Sequence, residues 1–154
     1  FQSLESISDM VLIDTESRGN ASSVQILEEA DLVVVNIDQD KEAWDDYFEN
    51  YASMLEKSVS LIGRYEKENP FNLELIQRQY HISRDKMAVI PYNIDLHIAA
   101  NEGRMIPFLN RNYLKSSRAE NEYFMGEVKR AVIMLKENMT HLRKPDMIRR
   151  SGKN

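Results

Sequence analysis

The residues of this chain best suited to chemistry are Val11-Leu12-Ile13-Asp14-Thr15, an apolar run that ends in a carboxylate and a hydroxyl. An aspartate delivered by a strand to the C-terminal edge of a parallel α/β sheet sits where such folds place their ligands. There it can hold Mg²⁺, directly or through water, beside a nucleotide's phosphates. Capping and turn aspartates follow apolar strands equally often, so the run alone leaves both readings open. The other chemistry-bearing residues are weaker candidates. His81, His97 and His141 are scattered, with no spaced carboxylate or second histidine on the same face, and read as surface or packing residues. Asp38, Asp40, Glu42, Asp45 and Asp46 gather around a helix start, where negative charge complements the helix dipole better than it suggests a metal site. The aromatic stripe from Trp44 to Tyr51 is read as core, any exposed part of it being available to a dimer. Arg149 and Arg150 lie in a basic tail whose charges are read as solvated, with phosphate contact as the alternative.

Composition bounds what these residues can serve. A chain of 154 residues suits one globular unit with a real core. It contains no cysteine, which excludes a disulfide framework, a thiolate metal site and a Cys nucleophile. Its longest apolar stretches, Met10 to Ile13 and Leu32 to Ile37, are far short of the roughly 20 residues of a membrane span. The formal net charge of −5 provides no general attraction to nucleic acid or an anionic membrane. The start at Phe1, without signal-peptide order, is read as a chain cut from something longer.

The elements that must position these residues follow from periodicity and punctuation. Met10 to Ile13 reads as a buried strand and Thr15 to Asn20 as a polar loop. Ala21 to Ala30 reads as a helix, and Leu32 to Ile37, rich in β-branched residues, as a strand. A helix opens at Gln39 or Asp40 and runs to Lys57, with Trp44, Tyr47, Phe48, Tyr51, Met54 and Leu55 on one face. Val59 to Gly63 is a strand, about Asn72 to Tyr80 a helix, and Met87 to Ile90 a strand that Pro91 stops. Asn93 or Asp95 caps a short helix to Glu102, with Gly103 as its stop. A long closing helix spans Ser117 to about Leu142, and a basic tail from Arg143 is expected to fray. Repetition of strand and helix requires crossover helices and a mostly parallel sheet covered on both faces, a three-layer α/β fold.

Several of these segments occur in an order that resembles the ParA/MinD family of deviant P-loop ATPases, and within it the CpaE/TadZ branch that positions pilus machinery. Asp9-Met10-Val11-Leu12-Ile13-Asp14-Thr15 is similar to the family's Walker B strand, and Glu29-Ala30-Asp31-Leu32-Val33-Val34-Val35 to its "ADxhhhV" strand. Also similar are Ile62-Gly63-Arg64-Tyr65, Val89-Ile90-Pro91-Tyr92-Asn93, Ala100-Asn101-Glu102-Gly103 and Phe108-Leu109. The order covers Phe1 to about Asn112.

The resemblance implies a P-loop NTPase fold of the SIMIBI kind, present here from residue 1 to 142 as the C-terminal part of an ATPase domain. It implies ATP and Mg²⁺ as cofactors of the complete protein. Asp14 would support the Mg²⁺, Gly19 would belong to a switch loop that senses the γ-phosphate, and Arg64, Pro91, Tyr92 and Asn93 would border the nucleotide. It also implies a nucleotide-switched homodimer, partners in a pilus, secretion or partition system, and a cytoplasmic protein recruited to the cell pole or inner membrane face. The chain departs from the pattern at Glu16, where relatives often have proline, and at Gly63, where many have an adenine-contacting asparagine. Its five glycines are dispersed, and none stands in a GxxxxGK[ST] context, so hydrolysis by the chain alone is not expected. The competing expectations are a nucleotide-free scaffold that binds partner proteins and a receiver-like domain phosphorylated on Asp14.

Overall fold

A computed structural model describes residues 10–15, 21–116 and 118–150. They fall into two units, Phe1–Ala30 and Asp31–Asn154. In the first, residues 10–15 carry neither strand nor helix, and α1 spans Ala21–Glu29. The buried strand expected at Met10 to Ile13 is therefore absent from the described structure. An apolar run becomes a strand only where a neighbour takes up its backbone hydrogen bonds, and hydrophobicity by itself supplies none.

The second unit is an α/β fold built on three parallel strands in the order β1-β2-β3. β1 is Val33–Ile37, β2 is Ser58–Tyr65 and β3 is Met87–Pro91. The register pairs Val33 with Ser58 and Ile37 with Ile62, then Ser60 with Met87 and Ile62 with Val89. β2 is central, and because helices cover both sheet faces most of its side chains are buried, the apolar Val59 and Ile62 as well as Ser58 and Ser60. Full burial of Ile62, 0 % exposed, is worth about 1.5–3 kcal/mol relative to exposure.

Connections between parallel strands must cross over the sheet. The first does so through α2, Lys41–Asn50, and a 3₁₀ segment, Ala52–Lys57. One continuous helix was expected there. Tyr51, at φ −121° and ψ 27°, ends α2 instead, and the following residues tighten into 3₁₀ form to deliver the chain to β2. Asp40 caps α2 by accepting the Glu42 amide at 3.0 Å. The second crossover uses α3, Leu73–Tyr80, which Asn72 caps at the Leu75 amide, 3.0 Å. Both helices pack on one sheet face, where Ile37, Ile62 and Val89 meet Trp44, Tyr47 and Ile76. Trp44 is wholly buried because its ring stacks on Phe48 and Tyr80 while its indole N–H donates to the Asp38 carbonyl at 2.9 Å.

After β3 the chain forms α4, Ile94–Asn101, and α5, Met105–Leu114. Gly103, at φ +67°, lies between them in the left-handed region, with the Arg104 amide bonding back to the Ala99 carbonyl at 2.7 Å. This is the helix stop expected at that glycine. α5 had no counterpart in the sequence reading. α6, Ala119–Arg150, returns along the opposite sheet face, where Ala131 and Met134 pack on Val59 and Ala88. It continues through Pro145 to Arg150, beyond the end expected near Leu142. Phe124 and Met125 of α6 close a third cluster with Ala99 and Phe108. Among the described residues no helix is long and apolar enough to cross a membrane.

Candidate functional site

Because the strands are parallel, β1, β2 and β3 end on the same edge of the sheet, and the residues that follow them are neighbours although distant in sequence. β1 delivers Asp38, β2 delivers Gly63 and Arg64, and β3 delivers Pro91, Tyr92 and Asn93. The register of β2 and β3 shifts between Ile62 and Tyr65, which marks a bulge. Within it Arg64 takes φ 43°, a left-handed backbone that costs a non-glycine residue about 1–3 kcal/mol. Bulges of this kind redirect side chains at sheet edges. Here the guanidinium is turned to Asp38, with its Nε donating to Oδ2 at 2.8 Å and its Nη2 donating to the same oxygen. That hydrogen bond and the adjacent carboxylate charge raise the Arg64 pKa above its ordinary value.

Gly63 lies against the same group. A Cβ at this position would stand 2.8 Å from Asp38 Oδ1 and 3.0 Å from Asn36 Oδ1. The side chains of β1 thus occupy the space that a side chain at position 63 would fill. Gln39 ties the loops of this edge together, accepting the Glu66 amide at 2.7 Å and donating to the Phe71 carbonyl at 2.9 Å.

The third strand end is fixed by a polar network. Tyr92 donates its amide to the Tyr65 carbonyl at 3.0 Å, which leaves its ring 50 % exposed at the sheet edge. Asn93 is buried. Its Oδ1 accepts the Leu96 amide at 2.8 Å and caps α4, while its Nδ2 donates to Asn121 Oδ1 at 2.8 Å. Asn121 then donates to Asp95 Oδ2 at 2.9 Å, and Arg118 Nη1 donates to both Asp95 oxygens at 2.9 Å. The start of α6 is thereby locked to the start of α4. Every member has a partner, so the network orders the edge instead of leaving a polar group idle.

The structure brings four of the expected site residues together, namely Arg64, Pro91, Tyr92 and Asn93. Asp14 lies in the first unit, exposed, in a segment without regular structure. Gly19 and Glu16 lie outside the described residues. Asn36, Asn121 and Arg118 had no assigned part in the sequence reading. Asp38 was counted in the acidic cluster, and only its position at the end of β1 would have separated it. Of the rest of that cluster, Asp40 caps α2, Glu42 stands in its first turn, Asp45 accepts from Lys41 and Tyr80, and Asp46 accepts from Asn50. No group of three or more His, Asp or Glu side chains that could hold a metal occurs among the described residues. His81 and His97 are exposed, His81 ending α3 in a left-handed conformation.

No family model, no curated protein and no solved structure matches this chain. Fold and site geometry therefore define it as an open parallel α/β protein with a polar cluster at the C-terminal edge of its sheet.

Proposed function

We propose that the chain is the base-side part of a nucleotide-binding protein of the ParA/MinD kind, switched between nucleotide-bound and free states as a homodimer that positions partner proteins such as pilus, secretion or partition components. The observation that carries this reading is the strained Arg64 beside exposed Tyr92 at the C-terminal edge of a parallel sheet, where such folds bind nucleotides. Tyr92 offers a planar face for a base, and Arg64 offers a guanidinium that can stack or pair with phosphate once Asp38 releases it. Asn93, the residue after Tyr92, is fixed by the Leu96 amide and Asn121, and the Tyr92 amide itself is bound to the Tyr65 carbonyl. Asp14 is exposed, and by the resemblance its carboxylate would support Mg²⁺, an ion that takes one or two carboxylates and keeps several waters. When bound, Mg²⁺ would neutralise phosphate charge. In such a protein the chain's own residues would position the nucleotide, and turnover would require phosphate-cradling groups that its dispersed glycines do not supply.

A second reading, a scaffold that binds partners without nucleotide, is favoured by one feature. Asp38 already engages Arg64, and with Asn36 it fills the space beside Gly63. Calorimetric titration with adenosine, ATP and Mg-ATP separates the two. The nucleotide reading expects adenosine to bind and Tyr92→Ala to weaken it by the worth of one stacked base, about 1–3 kcal/mol, with Asp14→Ala removing only the Mg²⁺-dependent gain. Absence of binding at millimolar adenosine and Mg-ATP leaves the scaffold.

A further inference from the structure

β3 has β2 on one side and, among the described residues, no strand on the other. A groove of about 580 Å³ runs along that free side, with Met87 and Val89 of β3 at its base, Gln77 of α3 on one wall, and Tyr123 and Ile133 of α6 on the other. Several of its features are complementary to an extended backbone. Tyr92 sends its amide to β2, and backbone groups alternate in direction along a strand, so Met87 and Val89 direct their N–H and C=O groups into the groove. Gln77 Nε2 is buried and has no acceptor, although a buried donor ordinarily has one. The walls come from helices of the two opposite layers, α3 on one sheet face and α6 on the other.

The ends of the groove differ in charge. Lys67, just past the C-terminal end of β2, lines one end. Glu137 lines the other, next to Asn138, whose side chain donates to the Asp85 carbonyl before β3 begins. Neither Lys67 nor Glu137 is in an ion pair among the described residues, whereas Arg84 and Asp85 at the second end carry opposite charges. A strand added parallel to β3 would start near Glu137 and finish near Lys67.

We propose that this groove receives an extended peptide segment of a partner protein, added parallel to β3 as a fourth strand. The segment carries a basic residue at its N-terminal end and an acidic residue at its C-terminal end, and one of its carbonyls accepts from Gln77 Nε2. This does not depend on nucleotide binding.

The test is a heteronuclear NMR titration with a synthetic peptide of alternating valine and threonine, lysine at its start and glutamate at its end, taken to millimolar concentration. The same peptide N-methylated at alternate residues, in both registers, serves as the control because it keeps the side chains and removes the donors. The proposal expects the Met87 and Val89 amides to shift and their exchange to slow. It expects one methylated register to bind about tenfold more weakly or worse, through loss of its backbone hydrogen bonds, and Gln77→Leu to weaken binding of the unmethylated peptide. Equal binding of all three peptides, or no response of the β3 amides, would overturn it. So would protection of those amides that rises with protein concentration and needs no peptide, since the occupant would then be a second copy.

Discussion

Replacing Asn93 by alanine tests how the sheet edge is held. The side chain both caps α4 and donates to Asn121. Loss of an N-cap costs about 0.5–2 kcal/mol. Asn121 is only 4 % exposed, so its orphaned Oδ1 adds about 1–3 kcal/mol for an unsatisfied buried acceptor. Asn93→Ala should therefore destabilise the second unit by about 2–4 kcal/mol. With a urea m-value of about 1–3 kcal/mol per molar, the midpoint should fall by roughly 0.7–4 M. The assay is built into the molecule, because Trp44 is its single tryptophan and is fully buried in that unit. Asn93→Ser retains a capping oxygen and lacks the second donor, so its loss isolates the share due to Asn121. In a double-mutant cycle the two asparagines should couple by about 1–2 kcal/mol, since contacting residues in one network are not additive. A loss below about 0.5 kcal/mol for Asn93→Ala, or additive effects in the cycle, would refute the network as the element that holds this edge.

Two further outcomes follow from local geometry. Gly63→Ala places a methyl against Asp38 and Asn36. Both are side-chain ends that can rotate away, so the cost is a displaced rotamer of about 0.5–1.5 kcal/mol and the exposed Asp38–Arg64 pair, partly offset by reduced freedom of the unfolded chain. Urea titration should show a net loss below about 1 kcal/mol, and a loss above about 3 kcal/mol would mean that backbone resists the methyl. Asp45 has its pKa lowered by the Lys41 hydrogen bond and then by the Tyr80 hydroxyl. Its folded value lies below its unfolded one, so its contribution is complete above the ordinary aspartate range and fades as pH falls through the folded value. NMR titration of the Asp45 carboxyl should give a midpoint below the usual one, and Tyr80→Phe should move it back up. An unchanged midpoint in Tyr80→Phe would show that the phenol contributes nothing.

Sequence alone determined the elements whose signals are local. The β-branched run within Leu32 to Ile37, the helix starts at Gln39 or Asp40 and at Asn93 or Asp95, and the stop at Gly103 each arise from the preferences of a few adjacent residues, and the structure puts the caps at Asp40 and Asn93 and the stop at Gly103. The alternation of strands and helices already required a parallel sheet. Only the tertiary structure decided which strands exist and what meets at their ends. Met10 to Ile13 has a strand's composition, yet it forms none, because a strand is completed by partners that lie elsewhere in the chain. Asp38 reads in sequence as one acidic residue among five, and it becomes the partner of Arg64 because pairing of β1 with β2 brings positions 26 apart together. The Asn93–Asn121 bond spans 28 residues and depends on α6 returning to the edge that β3 leaves. A groove beside β3 has no sequence signal, since its walls come from helices on opposite faces of the sheet and meet only when the sheet ends between them.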